Sequence, residues 1–285
     1  MVVDSTALPE QVVDDVITSA FLSAGQRCSA LRVLYIQDNI ADKVLMMLKG
    51  AMESMHAGDP RLLSTDMGPV IDCGAASELH DHIERMIEEA TLIAKIELGP
   101  NCKNGSFVAP HVFELQSINQ LHDEVFGPIL HVIRYSAQNL SAVINQINET
   151  GYGLTLGIHS RIEAFTETVF RNTIVGNTYI NRNTVGAVVG VNPFGGRGLS
   201  GTGPKAGGPN YLYQFSNART IGDQSSKNFD FNHNNKPLCS QLSDCVERSK
   251  TAMVKWASTS IQERLDIVLK VAEAITETSL ETLVK

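Results

Sequence analysis

Apolar side chains recur with two alternating periods along the first three quarters of the chain. Recurrence every three or four residues predicts helices, and short, largely apolar runs predict strands. The predicted helices cover residues 12–21, 44–55, 79–90, 140–147 and 162–170. The predicted strands cover residues 31–36, 107–113, 129–135, 154–159 and 177–180. This alternation predicts an α/β fold with a mostly parallel sheet flanked by helices.

The pattern changes after residue 216. Residues 217–237 are polar and rich in Asn, Ser, Asp and Lys, which predicts a linker. Beyond it, Ser260 and Glu263 fit a capping box at the start of an amphipathic helix. We therefore predict a main domain over 1–216, a linker over 217–237 and a helical segment over 238–285. That helical sequence ends without a following strand and the chain starts abruptly, so we interpret it as truncated at both ends.

Composition narrows the class of protein. The chain has 285 residues, of which 43% are hydrophobic, and a formal net charge of -8. An acidic chain without a basic patch is not expected to bind nucleic acid or an anionic membrane. Five cysteines without CxxC spacing indicate neither a disulfide framework nor a zinc cluster, and no metal site is predicted. No leader and no apolar run of roughly 18 residues is present, which favours a cytoplasmic protein without membrane insertion.

One cysteine lies where a nucleophile could be held rigidly. Cys28 falls in the small-residue turn Ser23–Ser29, between a predicted helix and a predicted strand. Backbone N–H groups at such a turn and the neighbouring Arg27 would favour the reactive thiolate. A structural cysteine would fit the same turn, so spacing alone leaves both roles open.

Other segments carry weaker signals. The eight histidines show no spacing typical of a dyad or a metal site, and we interpret them as solvated or satisfied. Residues 196–201 satisfy G-x-G-x-x-G, but Gly203 and Pro204 follow, so we predict a loop rather than a dinucleotide fingerprint. Within this glycine-rich region, Phe194 could form an apolar wall. Residues 122–128 read as an acidic turn before a strand.

The order of three motifs resembles the aldehyde dehydrogenase superfamily. The motifs are Gly25-Gln26-Arg27-Cys28, then Glu124-Val125-Phe126-Gly127-Pro128, then Pro193-Phe194-Gly195-Gly196. The stretches at residues 152–161 and 176–181 fit as well, so the resemblance covers most of residues 1–215. It implies an aldehyde dehydrogenase catalytic domain in which Cys28 is the nucleophile.

Two loops sharpen the resemblance within that superfamily. Residues 181–190 and 201–209 are similar to the dehydrogenase half of bacterial bifunctional proline-utilisation proteins. That half oxidises L-glutamate γ-semialdehyde, the open form of 1-pyrroline-5-carboxylate, to glutamate with NAD. The resemblance implies that Ser29, Gly186 and Ala187 hold the α-carboxylate and amine of the substrate and that Phe194 lines its aromatic wall. It also places Glu124 at the nicotinamide-side ribose, with Phe126 in the cofactor site.

The resemblance implies an incomplete site as well. The family's base glutamate, its oxyanion asparagine and most of its NAD-binding strands precede the segment that matches Met1, so we expect the isolated chain to be inactive. FAD would belong to the proline-oxidising half of such proteins and not to this chain. A small-molecule aldehyde is the expected partner, and a homo-oligomer is expected for the whole protein.

Three alternatives stay open. Residues 255–265 resemble the opening helices of an aldehyde dehydrogenase and could start a further domain, but an ordinary docking helix fits equally well. The chain could be a structural or oligomerisation piece in which Cys28 has no catalytic role. It could also serve a dehydrogenase for another semialdehyde, such as succinate semialdehyde.

Overall fold

The computed structural model describes residues 1–215, 247–249, 251–253 and 255–277. Contacts divide the chain into two compact units, Met1–Asn217 and Ala218–Lys285, which are described separately. The predicted linker over 217–237 lies outside the described residues. The proposed division into three parts therefore stays a prediction.

A seven-stranded sheet forms the centre of the first unit. Its strands are β1 (Val2–Val3), β2 (Val33–Gln37), β3 (Thr91–Lys95), β4 (His111–Leu115), β5 (Ile129–Tyr135), β7 (Thr155–His159) and β8 (Asn177–Ile180). A separate two-stranded ribbon pairs β6 (Tyr152–Gly153) with β9 (Arg197–Gly198). The order in the large sheet is β3-β4-β5-β2-β1-β7-β8, and every pair except β3 with β4 is parallel.

Five helices flank this sheet. They are α1 (Pro9–Ala20), α2 (Asp38–Glu53), α3 (Cys73–Glu89), α4 (Leu140–Glu149) and α5 (Glu163–Asn172). Their starts have local causes: Pro9 occupies the first turn of α1, and the Asp72 carboxylate accepts a hydrogen bond from the Ala75 N–H at 2.8 Å. The predicted α/β class and mostly parallel sheet are confirmed.

The predicted elements differ from the structure at five strands, including β6 and β9, which have two residues each and were missed. The strand predicted over 107–113 is β4, which begins at His111, because Pro110 has no N–H to donate to a ladder. The sequence pattern missed β1, which has only two residues. It also missed β3, an edge strand that begins two residues after α3 ends and whose apolar run of Leu92, Ile93 and Ala94 is short.

The two faces of the sheet belong to two hydrophobic clusters. On β2, Leu34 and Ile36 pack in the cluster that contains the buried residues of α1 and α2. Between them, Tyr35 packs in the other cluster, which contains the buried residues of α3, α4 and α5. Helices thus cover both faces, as expected for a parallel sheet.

Strand adjacency determines where the motifs meet. β2 and β5 are parallel neighbours, with Val33 opposite His131. The cysteine turn immediately precedes β2, and the Glu124–Pro128 motif immediately precedes β5. Because neighbouring parallel strands start at the same edge of a sheet, these two segments lie side by side although about 100 residues separate them.

The second unit contains α6 (Ile261–Glu277). The predicted capping box is confirmed: Ser260 Oγ accepts from the Glu263 N–H at 3.2 Å, and the Glu263 carboxylate accepts from the Ser260 N–H at 3.0 Å. In the described part of the apolar stripe of this helix, Ile261, Leu265, Val268 and Leu269 are exposed. None of the described helices combines the length and apolar character that a membrane span requires.

Candidate active site

The turn that carries Cys28 has an unusual backbone. Ser23, Ala24 and Gly25 adopt left-handed conformations in succession, with φ of 57°, 53° and 63°. A left-handed residue with a side chain costs free energy, so two of them in a row must be held by their surroundings. Cys28 itself is exposed, and Ser29 beside it is buried.

Two glycines bring this turn against the second motif. A Cβ added at Gly25 would lie 2.1 Å from the carbonyl oxygen of Gly127 and 2.8 Å from that of Ala20. A Cβ added at Gly127 would lie 2.5 Å from the side chain of Leu79 on α3. The glycines of the Gly-Gln-Arg-Cys and Phe-Gly-Pro motifs therefore allow the two segments to touch, and α3 backs that contact.

Polar side chains fix the turn further. Gln26 Oε1 accepts a hydrogen bond from the Ile71 N–H at 2.8 Å, which ties the turn to the segment before α3. Arg27, which we predicted to act on Cys28, donates from its Nε to Ser23 Oγ at 2.9 Å. Arg27 therefore braces the turn that precedes the cysteine.

Arg32 lies at the centre of the candidate site, and sequence reasoning missed it. Its guanidinium donates to the carbonyl oxygens of Gly25 and Arg27 and, from Nε, to Glu124 Oε1 at 3.2 Å. It also lies over the Phe126 ring, 4.5 Å from the centroid. Burial lowers the pKa of Arg32, opposed mainly by Glu124 and also by the charge of Cys28. Arg32 is thus a largely buried cation that lines the same cavity as Cys28 and is paired with Glu124.

An open cavity of about 580 Å³ joins the cysteine to the second motif. Its lining includes Cys28, Arg32, Glu124 and Phe126. The side chain of Glu124 is 39% exposed and Phe126 is exposed, so both present surface to a ligand. The structure therefore brings together the predicted nucleophile and both predicted cofactor residues.

The predicted substrate loop starts beside the cysteine, where Thr184 lines the same cavity. Thr184 Oγ1 donates to the Ser29 carbonyl oxygen at 2.9 Å, and the Thr184 N–H donates to Ser19 Oγ at 3.1 Å. These bonds tie the start of the loop to the residue after Cys28. Gly186 and Ala187, next along the chain, are exposed.

The other predicted substrate residues do not line the cavity. Ser29, Gly186, Ala187 and Phe194 are not among its lining residues. Phe194 is half-buried and pairs with Ala206 through two backbone hydrogen bonds of 3.0 and 2.9 Å. The structure therefore places the base of the substrate loop beside Cys28 without bringing its predicted contacts into one pocket.

Two histidines form a pair that the sequence spacing did not predict. His82 Nε2 lies 2.9 Å from His131 Nε2, and His131 Nδ1 lies 3.1 Å from the Arg32 carbonyl oxygen. A carbonyl only accepts, so His131 Nδ1 carries the proton and its Nε2 accepts from His82. Burial lowers the pKa of His82 to about 4 and that of His131 to about 3, which keeps both rings neutral. Both rings fit the interpretation of satisfied histidines.

The structure also shows the other cysteines and the glycine-rich segment. Among the described residues, Cys28, Cys73 and Cys102 are free thiols, and no group of three or more His, Cys, Asp or Glu side chains could hold a metal ion. The Gly196–Gly201 segment contributes β9 to a ribbon with β6, and no helix starts there. The segment predicted as a loop therefore contains a two-residue strand.

Comparison with known proteins adds an independent line of evidence. The model of the aldehyde dehydrogenase family matches residues 1–221. The chain is 49% identical over 263 residues to the bifunctional protein PutA of Klebsiella aerogenes. The match covers 90% of this chain and 20% of that protein. The chain therefore spans about a fifth of the length of this curated relative.

Solved structures show the same similarity. A crystal structure of a bifunctional proline utilization A protein is 56% identical, with a TM-score of 0.72, and covers 75% of this chain and 22% of that one. A 1-pyrroline-5-carboxylate dehydrogenase from Thermus with bound NAD is 35% identical, with a TM-score of 0.68, and covers 75% of this chain and 41% of that one.

Proposed function

The chain belongs to the aldehyde dehydrogenase family, and from this premise we propose that it supplies the nucleophile and substrate loop for NAD-dependent oxidation of L-glutamate γ-semialdehyde to L-glutamate. The observation that carries the proposal is the meeting of the Cys28 turn and Glu124–Phe126 at one cavity. The similarity to PutA and 1-pyrroline-5-carboxylate dehydrogenase supports the substrate and a role in proline catabolism.

Cys28 would perform the covalent chemistry. Its thiolate attacks the aldehyde carbon to form a thiohemiacetal oxyanion, and loss of hydride converts this adduct to a thioester. Water then cleaves the thioester, which releases the carboxylate and restores the thiol. Within residues 1–215 the structure gives no acceptor for the Cys28 N–H, so this donor is free to bind the oxyanion.

Glu124 and Phe126 would contact the cofactor. NAD, when bound, accepts the hydride. The residues present fit it in one respect: Arg32 engages Glu124 Oε1, which leaves Oε2 at the open cavity to accept a hydrogen bond from a ribose hydroxyl. Phe126 provides exposed apolar surface beside that carboxylate.

The loop after β8 would hold the charged end of the substrate. Gly186 has φ of +84° and open space around it, so backbone N–H groups of this exposed loop can approach a carboxylate. Ser29 and Ala187 are proposed to share this role, with Phe194 as the apolar wall. The bond from Thr184 to Ser29 supports the placement because it joins this loop to the nucleophile.

We propose that the water-activating glutamate, the oxyanion asparagine and most of the NAD site come from residues beyond this chain. The 285-residue chain alone is then inactive. The free thiols of Cys28, Cys73 and Cys102 support a reducing, cytoplasmic location.

An NADH assay tests the proposal. The chain is joined to the upstream dehydrogenase residues of the Klebsiella aerogenes relative, and absorbance is followed with glutamate semialdehyde and NAD. We expect turnover by the joined enzyme and none by the 285-residue chain. Cys28→Ala should reduce turnover by on the order of 10³-fold or more. Cys73→Ala removes another exposed thiol and should leave turnover unchanged.

Three results would count against the proposal. NADH production by the 285-residue chain alone would show that no upstream residue is required. Turnover by the Cys28→Ala enzyme would remove Cys28 from the reaction. A succinate semialdehyde rate equal to the glutamate semialdehyde rate would indicate that the loop at Gly186 does not select the amino acid end of the substrate.

A further inference from the structure

We propose that Arg32 is a positioning residue that holds the Cys28 turn and the segment 120–126 in one fixed arrangement. The inference rests on the proposed function and adds to it the device that aligns the nucleophile with the cofactor-binding carboxylate. No motif of the sequence pointed to this residue, which stands between Leu31 and the largely apolar strand β2.

The guanidinium of Arg32 contacts both segments at once. On one side it donates to the carbonyl oxygens of Gly25 and Arg27, which flank the turn immediately before Cys28. On the other side its Nε donates to Glu124 Oε1 at 3.2 Å. Because the guanidinium is planar and its N–H groups point in fixed directions, three such bonds define the position of each segment relative to the other.

The stacking of Arg32 on Phe126 adds a fourth contact to the same segment. The side chain of Arg32 is only 16% exposed, so solvent screens these interactions weakly. Removal of the guanidinium would leave the Gly25 and Arg27 carbonyl oxygens without this donor. The Glu124 carboxylate would then have no fixed rotamer.

The backbone of Arg32 is held as firmly as its side chain. Its carbonyl oxygen accepts two hydrogen bonds from His131, from the N–H at 3.0 Å and from Nδ1 at 3.1 Å. The neutral His131 ring accepts in turn from His82. His82 Nδ1 lies 3.3 Å from Nη2 of Arg85, which donates to it.

Arg85 closes the chain at the other end of the segment. Its Nη1 donates to the Gln120 carbonyl oxygen at 3.0 Å and to Glu89 Oε2 at 2.7 Å. Segment 120–126 is therefore tied at Gln120 through Arg85 and at Glu124 through Arg32. The histidine pair joins these two arginines, so one continuous hydrogen-bond chain holds both ends.

Thiol alkylation of the 285-residue chain tests this role. The rate of Cys28 modification by iodoacetamide is measured by mass spectrometry, with Cys73 as the internal reference because both thiols are exposed. We expect Arg32→Met to lower the Cys28-to-Cys73 rate ratio about fivefold, since the nearby cation and the fixed turn are both lost. Arg32→Lys keeps the charge but not the fork, and its ratio should lie between the two.

Amide hydrogen exchange reports how firmly the two segments are held, which the charge of residue 32 alone would not change. Arg32→Lys should speed amide exchange at least threefold in both residues 23–28 and residues 120–127. Arg134→Lys is the matched control, because Arg134 also bridges two segments by binding Asp42 and Glu114. It should change neither the alkylation ratio nor exchange in those two segments.

Three outcomes would overturn the inference. An unchanged Cys28-to-Cys73 rate ratio in Arg32→Met would show that Arg32 does not affect Cys28. Full recovery of the ratio in Arg32→Lys would show that only the charge of Arg32 matters. Faster exchange in only one segment would show no coupling. If Arg32→Met fails to fold, Arg32→Lys carries both measurements. These outcomes are independent of the NADH assay, whose failure would overturn the proposed function instead.

Discussion

The Cys28 turn and the Gly186 loop are both glycine-bearing segments of the proposed site, but the protein holds them in opposite ways. A side chain at Gly25 would collide with two backbone oxygens, at 2.1 and 2.8 Å. A side chain at Gly186, where φ is +84°, would meet nothing within 4 Å. Both glycines are left-handed, yet only the first is enclosed.

This difference separates two uses of glycine at one site. At Gly25 the missing Cβ permits a packing contact that fixes the turn carrying Cys28, so the requirement is steric as well as conformational. At Gly186 the backbone conformation alone requires glycine, and the open space is left for a ligand. Substitutions at the first position should therefore act on folding, and those at the second should act mainly on binding.

The largest effect is expected from Gly25→Ala. The methyl group combines a left-handed alanine with a clash against Gly127, and we expect a loss of about 4 kcal/mol in the free energy of unfolding. Urea denaturation measures it. Gly50→Ala, in α2 with nothing within 4 Å of the added Cβ, is the matched control and should stabilise by up to about 1 kcal/mol. Equal changes in the free energy of unfolding for Gly25→Ala and Gly50→Ala would show that Gly25 is not enclosed.

A smaller effect concerns the dependence of the free energy of unfolding on pH, through His82 and His131. Burial lowers the pKa of His82 to about 4 and of His131 to about 3, from 6.5. Below pH 6.5 the unfolded chain therefore binds protons that the folded chain does not, and stability falls as the pH is lowered. We expect these two rings to contribute a loss of about 2 kcal/mol between pH 6.5 and 5, after a discount for the partial exposure of His82.

Urea titrations across this pH range isolate that contribution. His82→Gln should flatten the pH dependence of the unfolding free energy relative to the unchanged chain. His80→Gln, an exposed position on the same helix, should leave it unchanged. A slope that His82→Gln does not alter would mean that the pair is protonated in the folded state.

The smallest effect on stability is expected from Gly186→Ala. The added methyl group meets no atom, so only the left-handed backbone opposes it, at a cost of about 1 kcal/mol. Gly190→Ala has φ of +80° and equally open space, and should cost the same. In the joined enzyme Gly186→Ala should raise the KM for glutamate semialdehyde. A destabilisation as large as that of Gly25→Ala would show that the loop is packed.

The sequence predicted the fold because that fold depends on local periodicity. The alternation of helical stripes with runs such as residues 129–135 was sufficient for the class, whereas the role of Cys28, which motif order predicts, stays a prediction. Edge strand β3 was missed because its apolar run is short and because the strand follows α3 after the single residue Ala90, with no turn residues to separate strand from helix. The start of β4 was placed too early because Val108 is buried like a strand residue. Val108 nevertheless lies before Pro110 and outside the hydrogen-bonded ladder of β4.

The contacts around the nucleophile depend on strand order, which periodicity does not encode. Arg32 meets Glu124 across 92 positions, and His82 meets His131 across 49. The first contact requires β2 and β5 to be neighbours, and the second requires α3 to pack against β5. One signal was present in the sequence: an arginine next to a buried strand needs a partner. Which partner it finds follows only from the sheet.

The most direct test of the account is the alkylation rate of Cys28 in the joined enzyme that includes the upstream dehydrogenase residues. Iodoacetamide modification is followed for each cysteine by mass spectrometry, and loss of NADH production is followed in parallel. We expect Cys28 to react at least about tenfold faster than Cys73, and we expect NADH production to disappear as Cys28 is modified. Modification of Cys28 no faster than that of Cys73, with activity retained after Cys28 is modified, would contradict the account.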